Sequence, residues 1–146
     1  MTNLQIAECR LDRRRIALVA AAKALFIEKG YEGTTLGDIV ERAGGSLSTL
    51  YKLFGNKDGL LEAVISQGSP SGDMLIADAL SVGCTPQQIL YRLAQSLHPH
   101  FLHPDTVAIV RIVIARSMAE PNFARQFFER TSTRTRTALE AMFEGW

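Results

Sequence analysis

Ser46, Ser48, Thr49, Tyr51 and Lys52 bring small hydroxyls, a phenol and an ammonium into one short stretch of the chain. Groups of this kind hydrogen-bond to base edges and phosphate oxygens, which is the chemistry of reading duplex DNA. Leu47 stands among them. It can face solvent and touch a thymine methyl, or turn inward beside Leu50. Thr35 lies upstream at a helix start, where a hydroxyl and free backbone N–H groups hold an anion such as a phosphate. Lys57 lies downstream and can reach another. Arg13, Arg14 and Arg15 are placed as an arm at the entrance of a helix, able to track the DNA backbone or minor groove. The formal net charge is only +1, so any affinity for nucleic acid has to come from local placement of these cations.

Other chemistries find less support. There is no Ser-His-Asp arrangement, phosphate-cradling glycine loop or H-E-x-x-H, so no catalysis and no cofactor are expected. The best metal candidate is His98, His100 and His103, with Cys84 as a fourth ligand. Pro99 and Pro104 suggest a loop there, and helix-end or solvated histidines are the favoured reading. Cys9 and Cys84 are too few for a disulfide framework and fit a reducing cytoplasm. Met1 to Arg15 has no apolar signal-peptide core, and no apolar run approaches the roughly eighteen residues of a membrane span. The expectation is a cytoplasmic protein without a membrane partner. Apolar residues at 47% and charged ones at 21% suit a globular fold.

The elements that must position these groups read as helices throughout. Leu18, Ala22, Leu25 and Phe26 repeat at helical spacing and predict a helix from Arg13 to Lys29, stopped by Gly30. Thr35 and Asp38 form a capping box for a second helix carrying Leu36, Ile39, Val40 and Ala43. Gly44 and Gly45 make a tight turn, and Ser46 caps a third helix from Leu47 to Phe54. Residues 35 to 54 therefore read as a helix-turn-helix, with Leu47 to Phe54 as the helix for the major groove. Leu60, Leu61, Val64 and Ile65 form the buried side of a fourth helix, and Ser66 to Gly72 reads as a hinge. Beyond it come a helix from Met74 to Val82 and one opened by Thr85 and Pro86. A third, capped by Asp105 and ended by Pro121, is apolar nearly all round and is expected to be the central helix of a second domain. The last runs from Pro121 to Trp146.

The expected fold is all-α. A three-helix DNA-binding domain, residues 1–68, is linked by its fourth helix to a helical regulatory and dimerisation domain, residues 69–146. Phe101, Val110, Ile114, Met118 and Phe127 are the candidate contacts for a small apolar ligand in that second part, with plain core packing as the competing reading.

Ile16 to Ile65 resembles the DNA-binding domain of the TetR family of bacterial transcriptional repressors. The matching blocks are Ala-Leu-Phe-Ile-Glu-Lys-Gly-Tyr (24 to 31), Thr-Thr-Leu-Gly-Asp-Ile (34 to 39), Ala-Gly (43 to 44) and Ser46. Thr49-Leu50-Tyr51, Phe54-Gly55-Asn56-Lys57 and Leu60-Leu61 continue them in register. The resemblance implies that Leu47, Ser48, Tyr51 and Lys52 approach bases or nearby backbone, while Thr35, Thr49 and Lys57 hold phosphates. Three positions depart from the family: Gly45 replaces a buried Val, Leu47 a polar residue, and Gly37 an Arg that often reaches DNA.

The family's second domain binds a small ligand and dimerises through its last two helices. A two-fold dimer reads half-sites about 34 Å apart. This chain is shorter and is expected to lack that final pair, so either the helix ending at Trp146 dimerises or the chain is a truncated product. The implied function is a sequence-specific transcription regulator, a ligand-responsive repressor binding a palindromic operator as a homodimer. The alternative is a helical interaction module, or a truncated regulator with impaired DNA binding.

Overall fold

The computed structural model describes residues 3–67, 72–82 and 85–146, with side chains from Arg10 onward, Thr131 excepted. The described residues form eight helices and no strand, and they divide into two compact units, 1–67 and 68–146.

In the first unit, α1 (Asn3–Lys29) packs against α2 (Leu36–Ala43) and α4 (Lys57–Gln67), while α3 (Leu47–Phe54) packs on α2 and α4. Leu18, Ala22, Leu25 and Phe26 of α1, Ile39, Leu50 and the pair Leu60 and Leu61 are its buried core. Helix α1 starts well before Arg13, which corrects the expected boundary. No Gly or Pro interrupts the chain between Asn3 and Lys29, so nothing stops the helix from extending upstream.

Thr34 adds a tie that hydrophobic patterning does not reveal. It is buried, and its hydroxyl lies 2.8 Å from the Gly30 carbonyl oxygen and 3.1 Å from that of Leu25. It thereby engages backbone carbonyls at the end of α1, whose last acceptors have no partner within the helix. Tyr31 is also buried. Its ring tilts against Phe26 at 5.2 Å, and its hydroxyl donates to the Asp58 carboxylate in the first turn of α4.

In the second unit, α5 (Gly72–Val82) packs on α6 (Pro86–Leu102) and α8 (Pro121–Glu144), and α7 (Pro104–Ala119) packs on α6 and α8. Ile76, Ala79, Ile89, Leu93 and Met142 form the buried cluster, so α5, α6 and α8 carry the core. The expectation of a central α7 is corrected. Ile109 is its one buried residue, whereas Val110 and Ile114 are exposed and Met118 is 82% exposed. An apolar sequence makes burial favourable without specifying which elements supply the cover. The N-cap of α7 is His103, not Asp105: Pro104 suits the first helical position, and the Asp105 N–H donates to His103 Nδ1 at 3.3 Å. Helix α6 continues through Pro99, so His98 and His100 are helical and not in a loop. Of the expected hinge, Ser66 and Gln67 end α4 and Gly72 begins α5, while Gly68 and Pro70 lie outside the described residues.

Candidate nucleic-acid interface

Helix α2 starts with a two-way cap. The Asp38 N–H donates to Thr35 Oγ1 at 3.1 Å, and the Thr35 N–H donates to Asp38 Oδ2 at 2.9 Å. Hydrogen bonds from Thr35 to the charged carboxylate hold the Asp38 carboxyl below its ordinary range, the backbone bond contributing most. A bidentate ion pair ties α2 to α1: Arg42 Nη1 and Nη2 donate to Glu28 at 2.7 and 3.0 Å. The hydrogen bond to Arg42 lowers the Glu28 pKa.

Gly44 and Gly45 then turn the chain at φ +72° and +115°, values that side-chain-bearing residues rarely adopt. Ser46 caps α3, accepting the Thr49 N–H at 3.2 Å, with the two hydroxyls 3.0 Å apart. Thr49 is thus half-buried and engaged in the cap.

Helix α3 has two unlike faces. Leu50 is fully buried, while Leu47 and Tyr51 are 43% and 52% exposed and Ser48 and Lys52 are exposed beside them. The two options for Leu47 resolve in favour of solvent. Thr35 is exposed at the start of α2, and Lys57 occupies the first turn of α4 with its Nζ 4.3 Å from the centre of the Tyr31 ring. At Gly37, where the family often has Arg, an added Cβ would meet only Thr35 Oγ1 at 3.5 Å, so the surface there is open.

The three arginines are not placed at the entrance of a helix. They lie inside α1, where successive residues diverge by about 100°, and they part company: Arg13 is exposed, Arg14 lies over the Gly44–Gly45 turn, and Arg15 covers the Phe54 ring at 5.2 Å. The engagement of Arg14 and Arg15 with the helix-turn-helix escaped sequence reasoning. The missing side chain at Gly45 was its only trace.

Residues 18–64 match the profile described as bacterial regulatory proteins, tetR family, and residues 88–146 match the C-terminal domain of AefR-like transcriptional repressors. The chain belongs to the TetR family. It is 36% identical over 85 residues to the HTH-type transcriptional regulator YvkB of Bacillus subtilis, covering 51% of this chain and 44% of YvkB. It is 45% identical over 53 residues to the HTH-type transcriptional repressor ComR of Escherichia coli, covering 36% of this chain and 25% of ComR. A longer match, 28% identity over 133 residues, is to the transcriptional activator FasR of Mycolicibacterium smegmatis, covering 91% of this chain and 58% of FasR. The matches thus span less than two thirds of each of these relatives. The crystal structure of a TetR-family transcriptional regulator from Mesorhizobium loti shares the fold with a TM-score of 0.74 at 29% identity, covering 92% of this chain and 68% of that one. Residues 18–64, which include the helix-turn-helix, are the part that matches the tetR-family profile.

The residues singled out in the second unit are not gathered round a common space. Phe101 on α6, Val110, Ile114 and Met118 on α7 are exposed, and Phe127 on α8 is half-buried with its ring 5.7 Å from that of Phe123. A cavity of about 370 Å³ opens elsewhere, between α5 and α8, lined by Asp73, Ile76, Leu80, Ala138, Met142 and Trp146 among others. His98 and His103 are exposed, and His100 sets its ring edge-on to Phe101. Among the described residues no group of three or more His, Cys, Asp or Glu is arranged to hold a metal; Cys84 lies outside them. No helix of the described residues is long and apolar enough to cross a membrane.

Proposed function

We propose that this chain is a ligand-responsive repressor that binds a palindromic operator as a homodimer in the bacterial cytoplasm. The observation that carries the reading is the division of α3, with Leu50 anchoring one face and Leu47, Ser48, Tyr51 and Lys52 exposed on the other. A short helix held this way is what the major groove admits. Leu47, Ser48, Tyr51 and Lys52 meet bases or adjacent backbone. Thr35, Ser46, Thr49 and Lys57 bind phosphates, the hydroxyls doing so from helix N-termini. Arg13 and Arg14 add backbone charge.

Repression rather than activation is favoured by the likeness of residues 88–146 to a repressor's C-terminal domain. The effector is a small apolar molecule taken up by the second unit. Binding would change the spacing of two reading heads, which requires that the ligand prefer one spacing over the other.

A gel shift on the DNA flanking this protein's own coding region, run beside a light-scattering mass, tests operator and dimer together. The expected result is salt-sensitive binding by a two-chain species. A strict monomer without salt-sensitive binding overturns the reading and favours a helical interaction module.

A further inference from the structure

Arg14 and Gly45 are in close approach across the helix-turn-helix. A Cβ placed on Gly45 would lie 3.2 Å from Arg14 Nη1, 3.3 Å from its Cδ and 3.5 Å from its Cζ; one placed on Gly44 would lie 3.6 Å from Nη1. Both the stem and the guanidinium of Arg14 therefore rest on backbone that carries no side chain. Only one residue, Ser46, separates that backbone from the first residue of α3. Arg14 is exposed, and among the described residues no carboxylate pairs with it. Arg15, its neighbour, is spent differently, on the Phe54 ring.

A guanidinium fork fixed at one point and open to solvent is suited to a phosphate oxygen, because holding the side chain beforehand reduces the entropy lost on binding. We propose that Gly45 is a seat for Arg14, and that the seated guanidinium binds a DNA phosphate beside the start of α3. The bare glycine is what admits the Arg14 stem. A larger residue at position 45 would lift the guanidinium away from the turn. This rests on the DNA-binding reading above and extends it: Arg14 acts as a fixed part of the helix-turn-helix surface, and its position depends on a residue in another helix-bounded segment.

The seat is tested first in the unsubstituted protein by NMR. Nuclear Overhauser contacts between the Arg14 Hδ protons and the Gly45 Hα protons are expected, and their absence overturns the seat. The phosphate is tested by salt titration of binding to a mixed-sequence duplex. Arg14→Ala is expected to flatten the log–log salt slope by about 0.9, which at ~0.1 M salt is a loss of roughly eightfold. Arg14→Lys keeps the charge and retains most of the slope. Neither variant changes a residue of the turn, so this arm stands even where φ strain keeps Gly45→Ala from folding. Where Gly45→Ala folds, its loss of affinity is expected to shrink in the Arg14→Ala background; equal losses in both backgrounds overturn the coupling. An Arg14→Ala slope unchanged while Lys57→Ala flattens it overturns the phosphate contact and leaves the DNA reading intact. No salt-sensitive binding by the unsubstituted chain overturns both.

Discussion

The ammonium of Lys57 stands over the face of Tyr31, 4.3 Å from the ring centre, joining the first turn of α4 to the end of α1. The same tyrosine packs on Phe26 and donates its hydroxyl to Asp58. Lys57 is thus positioned by the core of the first unit, and substitutions at the two residues should separate charge from placement. Lys57→Ala is expected to weaken duplex binding equally across sequences and to flatten the salt slope by about one. Tyr31→Leu, which removes the ring but keeps the cation, should weaken binding less while lowering the melting temperature. Fluorescence anisotropy in a salt series checks both.

Tyr51→Ala should behave differently from Lys57→Ala. Its phenol is exposed beside Ser48 and Lys52 on α3, so the loss is expected to depend on the base sequence, by about 1–3 kcal/mol between preferred and altered operators. Competition binding with operator variants measures it.

Leu50 and Leu47 occupy opposite sides of one helix. Leu50→Ala is expected to destabilise the first unit by about 2–5 kcal/mol, because it empties a fully buried site. Leu47→Ala should leave denaturant midpoints nearly unchanged and alter operator affinity. Urea unfolding beside a binding assay distinguishes the two.

Thr34→Val exchanges a buried hydroxyl for a methyl of similar size and leaves the Gly30 and Leu25 carbonyls without it. The expected cost is about 1–3 kcal/mol. A matching Thr35→Ala change removes one side of the capping box and should cost ~1 kcal/mol. Chemical denaturation of both variants tests the ranking.

Acid should loosen α2 first. Asp38 and Glu28 both have folded-state pKa values below their ordinary ones, held down by Thr35 and by Arg42 respectively. A depressed carboxyl contributes stability that is present above its unfolded pKa and is lost as pH falls through the folded value. Stability should therefore decline below about pH 4, the ordinary carboxylate range, and less steeply in an Asp38→Asn, Glu28→Gln variant. Melting temperatures across an acid series provide the check.

Much of the molecule was legible in its residues. Helix caps are local chemistry, so Thr35 with Asp38, Ser46 and Thr85 announced their helices correctly. Family blocks in register supplied the helix-turn-helix. What these residues could not determine was partnership. Arg13, Arg14 and Arg15 read alike as a charged run, and only the packing of α1 across the turn sent Arg14 to Gly45 and Arg15 to Phe54. The apolar residues of α7 promised a central helix, yet the choice of α5, α6 and α8 for the core was made by long-range packing. Sequence by itself determined the starts of α2, α3 and α6, where a capping side chain marks them, since a cap depends on neighbours within a few residues. Tertiary structure alone decided which faces meet, because that depends on residues distant in the chain arriving at the same place.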